Sequence, residues 1–321
     1  SMIKIGKHTL TSGVILAPMS GVTDKPFRKV VRNFGAPLLV TEMIASRAMI
    51  MHTRQSMQKC DFDHEGGLTS VQLAGCEPDV MADAAKLNQD MGAAIIDINF
   101  GCPAKQVVNG YAGSALMRDE KKAAAILKAT VEAVQVPVTL KMRMGWDSSS
   151  LNAPNLARIA EELGIQMITI HGRTRCQFYS GTADWDFVRS VKEAVKIPVI
   201  VNGDIKSHID AENALKSSGA DGVMIGRGAY GKPWIIQQTA SYLDEGTEPL
   251  EPSLSVKRDT ILEHYDDILS YYGVECGMMM ARKHIGWYSA GIHNSASLRS
   301  QVNQTKDHNE VKRLVNEFFE A

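Results

Sequence analysis

No stretch of this 321-residue chain approaches the roughly 18 consecutive apolar residues of a membrane-spanning helix. Ser1-Met2-Ile3-Lys4 contains no apolar signal core. The five cysteines, Cys60, Cys76, Cys102, Cys176 and Cys276, are odd in number and form no CxxC pair. That argues against a disulfide framework and a structural zinc site, so no metal is expected, and the expected setting is reducing and cytoplasmic. A surplus of positive charge is also missing: 35 Lys and Arg stand against 36 Asp and Glu, for a net charge of −1. Residues 241–321 carry 8 basic and 13 acidic side chains, a net of −5, which leaves +4 for the remainder. There is thus no bulk nucleic-acid footprint, and any contact with RNA has to come from a local patch. What is present is ordinary for a soluble globular protein, 44% hydrophobic and 22% charged, in a chain long enough for one large domain and a small one.

Eight short apolar, β-branched runs alternate with helical patterns. They begin near Val14, Leu38, Thr69, Ile95, Val138, Met167, Val199 and Gly222, in steps of 23 to 43 residues, each sufficient for one strand and one helix. The longest step follows Ile95 and leaves room for an elaborated loop. Asp119-Glu120 place acids in the first turn of a helical run through Ala123, Ile126, Leu127, Val131 and Val134. Asp79 to Met91 and Asp210 to Ser217 read similarly. Two joints nearly repeat, Val134-Gln135-Val136-Pro137-Val138 and Val195-Lys196-Ile197-Pro198-Val199, as a repeated βα unit requires. Eight such units predict an α/β fold, a (β/α)8 TIM barrel, rather than an open doubly wound sheet. The barrel domain is expected over residues 1–244. Residues 245–252, rich in Glu, Gly and Pro, read as a linker. Strandless helical patterns then predict a small C-terminal all-α domain over 253–321.

In a TIM barrel the chemistry sits at the C-terminal ends of the strands, and here polar residues gather there. The first strand ends in Pro18-Met19-Ser20 and the third carries Gln72. The fourth runs into Asp97-Ile98-Asn99-Phe100-Gly101-Cys102-Pro103. The fifth holds Lys141 and Arg143, the sixth ends His171-Gly172-Arg173-Thr174-Arg175, and the last two end in Asn202-Gly203-Asp204 and Gly226-Arg227-Gly228. Lys141 and Arg143, two apart, point to one side of their strand and suit an anionic or electron-rich ligand; the plainer alternative is a surface pair at a strand end. The glycines after strands seven and eight match the usual barrel phosphate site, although they also serve as turns. Gly226 to Gly231 spells GxGxxG, but no strand and ribose-binding acid follow, so dinucleotide binding there is rejected. Cys102, mostly protonated at neutral pH if its pKa is ordinary, can serve as a general acid; the alternative is an inert thiol. His171 is either a ligand contact or a satisfied core histidine. Met278-Met279-Met280 reads as helix core.

Taken together, these segments resemble the tRNA-dihydrouridine synthases. The resemblance rests on Asn99-Phe100-Gly101-Cys102-Pro103 with Lys105 and Ala112-Gly113-Ser114-Ala115-Leu116-Met117, and on the segment from Ala17 to Asp24. It also rests on Lys141-Met142-Arg143-Met144-Gly145, His171 to Arg175 with Tyr179, Gly181 and Ala183-Asp184-Trp185, and Asn202-Gly203-Asp204. The match spans the barrel in order, and the Ala112 to Met117 wording is similar to the bacterial B subgroup, for which the D-loop of tRNA is the expected target. The resemblance implies FMN in the barrel mouth, reduced by NADPH, and reduction of the uridine C5–C6 bond by hydride transfer from flavin N5 to C6. Cys102 would give the proton to C5. Ala17, Pro18, Met19, Gln72, Lys141, His171, Asn202, Gly203, Asp204, Gly226 and Arg227 would hold the cofactor. Asn99, Lys105, Arg143, Arg173 and Arg175 would hold the nucleotide, which must leave its stack to be reached. The helical domain would clamp the tRNA body, with Arg282, Lys283 and Arg299 as candidates. No membrane contact and no stable protein partner are implied, and a monomer is expected.

Three other readings stay open on the residues alone. One is a flavin barrel that reduces a small molecule, of the dihydroorotate dehydrogenase or enone reductase kind; the helical domain and the arginine-rich sixth loop speak against it. Another is a Schiff-base aldolase using Lys141, its pKa lowered by Arg143. The last is a tRNA-binding protein without catalysis, against which Cys102 stands.

Overall fold

The computed structural model describes residues 2–53, 56–57, 67–100 and 113–320. Eight parallel strands form the barrel: β1 (Val14–Leu16), β2 (Leu38–Val40), β3 (Leu68–Ala74), β4 (Ile95–Phe100), β5 (Val138–Arg143), β6 (Ile168–His171), β7 (Val199–Asn202) and β8 (Gly222–Ile225). Their hydrogen-bonded order is β1-β8-β7-β6-β5-β4-β3-β2, and a two-residue strand, Ile44–Ala45, also pairs with β3. The ends of this path, β1 and β2, lie side by side without a ladder between them, so the barrel is nearly closed. Six of the eight strands begin at the residue read from the sequence; β3 starts one residue earlier and β6 one later. These runs are legible because strands covered on both faces are continuously apolar.

Around the barrel lie α1 (Lys25–Phe34), α2 (Ser46–Ile50), α3 (Pro78–Asp90), α4 (Glu120–Ala133), α5 (Ala153–Glu162), α6 (Trp185–Ala194), α7 (His208–Ser218) and α8 (Ile235–Glu245). Their ends follow local chemistry. Asp24 caps α1 by accepting from the Phe27 N–H, and Gly35 closes it in the left-handed region at φ 108°. Asp119 caps α4, and Ser207 opens α7 with Gly219 closing it. The repeated joints have a common cause. Gln89 Oε1 accepts the N–H groups of Gln135 and Val136, and Glu161 Oε2 accepts those of Lys196 and Ile197. In both, an oxygen from a preceding helix takes two donors before a proline that has none.

An N-terminal hairpin, Ile3–Ile5 against His8–Leu10, was not anticipated. Its Ile3, Ile5 and Leu10 pack with Ile15, Leu38, Ile95 and Ile200 in one buried cluster. Gly6 lies against Pro137 and Gln166, just ahead of β5 and β6, so the hairpin plugs the N-terminal end of the barrel. A larger apolar layer fills the space between strands and helices. The mouth at the C-terminal ends is therefore the way in.

After α8 come α9 (Leu254–Tyr272), α10 (Val274–Ser289), α11 (Ser295–Gln304) and α12 (His308–Phe318). None of the helices among the described residues is long and apolar enough to cross a membrane. The four share a core of their own, with Ile261, Tyr265, Ile285, Leu298, Val311 and Phe319 at its centre and the barrel's Trp234 included. The seam to the barrel is aromatic and polar. Phe27 stacks on His264 and meets His284, with centroids 5.9 and 5.6 Å away. Tyr272 donates its hydroxyl to Asp24 at 2.6 Å, and Lys283 donates to the Gly21 carbonyl. Trp287 stacks on Tyr230, 4.0 Å apart and 12° from parallel.

Gly231 shows how close this approach is. Its φ is +67°, and a Cβ there would lie 2.4 Å from the Trp287 carbonyl carbon and 2.5 Å from its oxygen. Gly231→Ala is expected to destabilise the protein by about 2 kcal/mol or more, from left-handed strain and the clash together. Denaturant unfolding checks this; an unchanged midpoint would contradict so tight a seam.

Candidate active site

A cavity of about 390 Å³ occupies the barrel mouth. It is lined from every quarter: Ala17, Pro18 and Met19 after β1, Gln72 on β3, Asn99 on β4, Lys141 and Arg143 on β5. His171 ends β6 with Arg173 and Tyr179 beyond it, Asn202, Gly203 and Asp204 follow from β7, and Gly226 and Arg227 from β8. Cys102 and Lys105 lie outside the described residues. Arg175 does not reach the cavity; its guanidinium lies over Trp146 and Phe178 instead.

On one wall a chain of hydrogen bonds crosses three strands. Thr139 donates to Asp97 Oδ1 at 2.6 Å, Gln72 Nε2 donates to Asp97 Oδ2 at 2.8 Å, and Asn99 Nδ2 donates to Gln72 Oε1 at 3.1 Å. The strand register opposes Gln72 to Asp97, Asp97 to Thr139 and Asn99 to Lys141. Burial pushes the Asp97 carboxyl above its ordinary value, while Thr139, Gln72 and the Lys141 charge pull it down. This wall fixes the Gln72 amide and sets Lys141 beside it.

The opposite wall is built on Arg173, whose side chain is 3% exposed. Its Nη2 donates to both oxygens of Asp204 at 2.9 Å and to the Gly181 carbonyl at 2.8 Å. Its Nε donates to the Ser180 carbonyl at 3.1 Å, and Nη1 lies 3.2 Å from His171 Nε2. The sequence reading put Arg173 among the residues that hold the nucleotide; the structure gives all three of its nitrogens protein partners. A guanidinium only donates, so His171 Nε2 is the acceptor and the ring proton sits on Nδ1. Burial, followed by the charges of Lys141, Arg143, Arg173 and Arg227, drives the His171 pKa down to about 2. The ring is thus neutral, with an N–H donor at Nδ1 on the cavity wall.

Asp204 sits in the left-handed region at φ 58°. Burial works to raise its carboxyl, but the Ala183 N–H and Arg173 outweigh it and hold the group below its ordinary value. Gly203, at φ +111°, lies where a Cβ would strike His171 Cδ2 at 2.5 Å. Gly226 differs: a Cβ there would meet only Ala17 and Met19 at 3.7 Å, ordinary contact. Neighbouring side chains leave room beside Gly226 on the cavity wall, while its backbone, at φ −102° and ψ −104°, lies outside the regions that side-chain-bearing residues favour.

Two tyrosines that the sequence pattern did not assign to the site, Tyr179 and Tyr230, also line the cavity. Tyr179 is 56% exposed, with the Arg143 and Arg227 guanidinium carbons each 5.2 Å from its ring centroid. Arg143 itself is 1% exposed and donates to the carbonyls of Thr174 and Phe178. Lys206 also lines the cavity; its signal was a cation two residues past Asp204. Five cations against Asp204 and Asp97 make the mouth electropositive.

A model of the family described as dihydrouridine synthase matches residues 15–321. The "Probable tRNA-dihydrouridine synthase" of Rickettsia prowazekii (strain Madrid E) is 63% identical over 99% of this chain and 98% of its own length. The "tRNA-dihydrouridine synthase B" of Xanthomonas campestris pv. campestris is 48% identical over 99% and 96%. Among solved structures, the fold is similar to a 2-naphthoyl-CoA reductase complex, with TM-score 0.57 and 12% identity over 76% of this chain and 52% of that one. Histamine dehydrogenase from Rhizobium sp. 4-9 gives TM-score 0.55 and 14% identity over 83% and 50%. This chain spans about half the length of each of these two enzymes, and the likeness to them is one of fold.

The Arg173–Asp204 pair generates a pH prediction. Asp204→Asn keeps a residue that tolerates left-handed backbone but removes the charge opposite a buried guanidinium. It is expected to cost about 2 kcal/mol at neutral pH, less than a fully buried pair because Asp204 is partly exposed. A depressed carboxyl stabilises the fold above its unfolded pKa, near 3.8, and stops doing so as pH falls through the folded value. The difference between wild type and variant, followed by denaturant unfolding, is therefore expected to shrink below about pH 4. A difference independent of pH would contradict the pairing.

Proposed function

This chain belongs to the dihydrouridine synthase family, and from that premise we propose that it reduces uridine in tRNA to 5,6-dihydrouridine, with FMN in the barrel mouth and NADPH as reductant. The observation that carries the flavin reading is the open space at Gly226 beside Arg227, facing a mouth lined with cations. The short helical turn Arg227–Ala229 starts there, and its first N–H groups have no carbonyl of their own turn to bond. Donors of this kind with an adjacent arginine suit a phosphate.

When bound, the flavin, once reduced by NADPH, supplies the hydride that goes to uracil C6. Ala17, Pro18 and Met19 form an apolar surface for a flat ring. Gln72 and Lys141 serve its polar edge, with Lys141 favouring negative charge there. His171 adds a neutral N–H donor, whose tautomer Arg173 fixes. Asn202, Gly203, Gly226 and Arg227 take the ribityl and phosphate end. Asp204, with both oxygens on Arg173 and the Ala183 N–H, acts through Arg173 rather than by touching a phosphate.

The substrate base has to leave its stack, at a cost of a few kcal/mol. The exposed Tyr179 ring, braced by Arg143 and Arg227, offers a flat face for it, and Asn99 an amide for its polar edge. Cys102, two residues past the end of β4 in the sequence, gives the proton to C5, and Lys105 stands three residues further along the chain. Hydride at C6 and proton at C5 together saturate the bond. The helical segment 253–321 supports the tRNA body. Lys283 is not a free clamp in that role, since it donates to the Gly21 carbonyl across the seam.

Cys102→Ala is expected to retain FMN and to be reduced by NADPH at the wild-type rate, yet to form dihydrouridine at least about 100-fold more slowly. Mass spectrometry of digested tRNA reads the product; full turnover by this variant would overturn the proton-donor role. Arg227→Ala is expected to raise the FMN dissociation constant about tenfold, a loss of one charge-assisted phosphate contact. Flavin fluorescence titration reads this, and unchanged affinity would remove Arg227 from the phosphate site.

A further inference from the structure

Asp97 is a buried acid to which the proposed reaction gives no part. Gln72, Asn99 and Lys141 line the cavity, and Asp97 does not. Strand alternation sets it one layer deeper than Asn99 on β4, just as it sets Thr139 one layer deeper than Lys141 on β5. Its oxygens take the Thr139 hydroxyl at 2.6 Å and the Gln72 amide at 2.8 Å. Because a carboxylate oxygen accepts, Gln72 turns Nε2 toward Asp97 and Oε1 the other way, where Asn99 Nδ2 donates to it at 3.1 Å. The amide that faces the cavity is thereby fixed in one sense.

Hydrogen bonding alone does not call for a carboxylate here. A threonine hydroxyl either donates or accepts. An asparagine at 97, with its oxygen toward Gln72 and its NH2 toward Thr139, fills the same places without the cost of burying a charge. What the carboxylate adds is charge. The Lys141 ammonium pulls the Asp97 carboxyl down against the upward push of burial, and that attraction is mutual. The same ammonium acts on His171 of the neighbouring strand, so its charge is felt throughout this side of the mouth.

We propose that Asp97 is a positioning residue of the cofactor site: it fixes the sense of the Gln72 amide and sets a negative charge behind Lys141 that limits how strongly the mouth favours an anionic, reduced flavin. This rests on the flavin reading above. A cation at the polar edge of the ring stabilises the reduced form, and the more it does so the weaker a hydride donor that form becomes. A buried counter-charge one layer away offsets part of the effect without touching either the cofactor or the base. Asp97 acts through Gln72 and Lys141, which do the touching.

The test is the affinity of the protein for oxidised and for reduced FMN, read anaerobically by flavin absorbance and fluorescence, in wild type, Asp97→Asn, Asp97→Ala and Thr139→Val. Asp97→Asn keeps an acceptor toward Gln72 and removes the charge. It is expected to bind oxidised FMN within about twofold of wild type but reduced FMN about tenfold more tightly, which raises the midpoint potential by about 30 mV for a two-electron couple. Reoxidation by saturating tRNA is expected to slow, with KM for tRNA kept. Asp97→Ala also removes the acceptor, and is expected to weaken oxidised FMN several-fold in addition. Thr139→Val, of nearly the same shape, takes away one of the bonds that stabilise the carboxylate, and is expected to move the potential in the same direction by less. A merely structural role weakens both forms of FMN equally and leaves the potential in place. That result in Asp97→Asn and Thr139→Val overturns the proposal, as does a lowered potential. The expected shift in an enzyme that reduces a small enone and not tRNA upholds the role of Asp97 and overturns the proposed substrate. Wild-type protein that binds no FMN overturns both.

Discussion

A guanidinium does not give up its proton, so one buried at the end of a barrel strand has to be surrounded by acceptors. Arg173 meets that requirement with Asp204 from the β7 end, the carbonyls of Ser180 and Gly181 from its own loop, and the ring of His171. Each partner is thereby fixed by the others. The β6 loop is folded back on the barrel, which places Tyr179 over the mouth, and Asp204 is held in a left-handed conformation that aims its carboxylate inward. His171 is left neutral with its proton on Nδ1. The cationic mouth thus gains a neutral N–H donor.

The helical tail is joined to this mouth rather than tethered beside it. Trp287 of α10 stacks on Tyr230, which lines the cavity, and Lys283 and Tyr272 reach Gly21 and Asp24 in the loop after β1. The Gly21 N–H donates to Glu42, so the loops after β1 and β2 are tied into the same seam. Burial raises the Asp24 carboxyl above its ordinary value, and its hydrogen bonds from Tyr272 and Phe27 only partly offset that. His264 and His284, both buried in the seam, are pushed down and stay neutral. The seam thus combines aromatic packing with hydrogen bonds from Tyr272 and Lys283, and a Lys29–Asp267 ion pair lies across it.

The barrel was legible because its signals are local. Runs such as Val199-Ile200-Val201 are apolar throughout when both faces are covered, and the repeated Pro137 and Pro198 joints mark the entry to β5 and β7. The hairpin was not legible, since Ile3 to Leu10 alternates too briefly to stand out and its burial depends on the barrel end it plugs. The cavity was legible for the same topological reason as the barrel: polar residues at strand ends share one mouth. What the sequence could not separate was Arg173 from Arg175. Strand alternation puts both on one side, but the Thr174-capped turn ends the alternation, burying the first beside Asp204 and rotating the second onto Trp146. Contacts between distant segments, such as Arg143 with Phe178 or Trp287 with Tyr230, leave no trace in local pattern.

The most direct test of the central claim is anaerobic reoxidation. The flavin-loaded protein is reduced with NADPH, mixed with unmodified tRNA, and followed by the return of oxidised flavin absorbance. Rapid recovery is expected with tRNA and little with free uridine or small enones, because the arginine-braced mouth suits a nucleotide held within RNA. Recovery with a small enone and not with tRNA would contradict it.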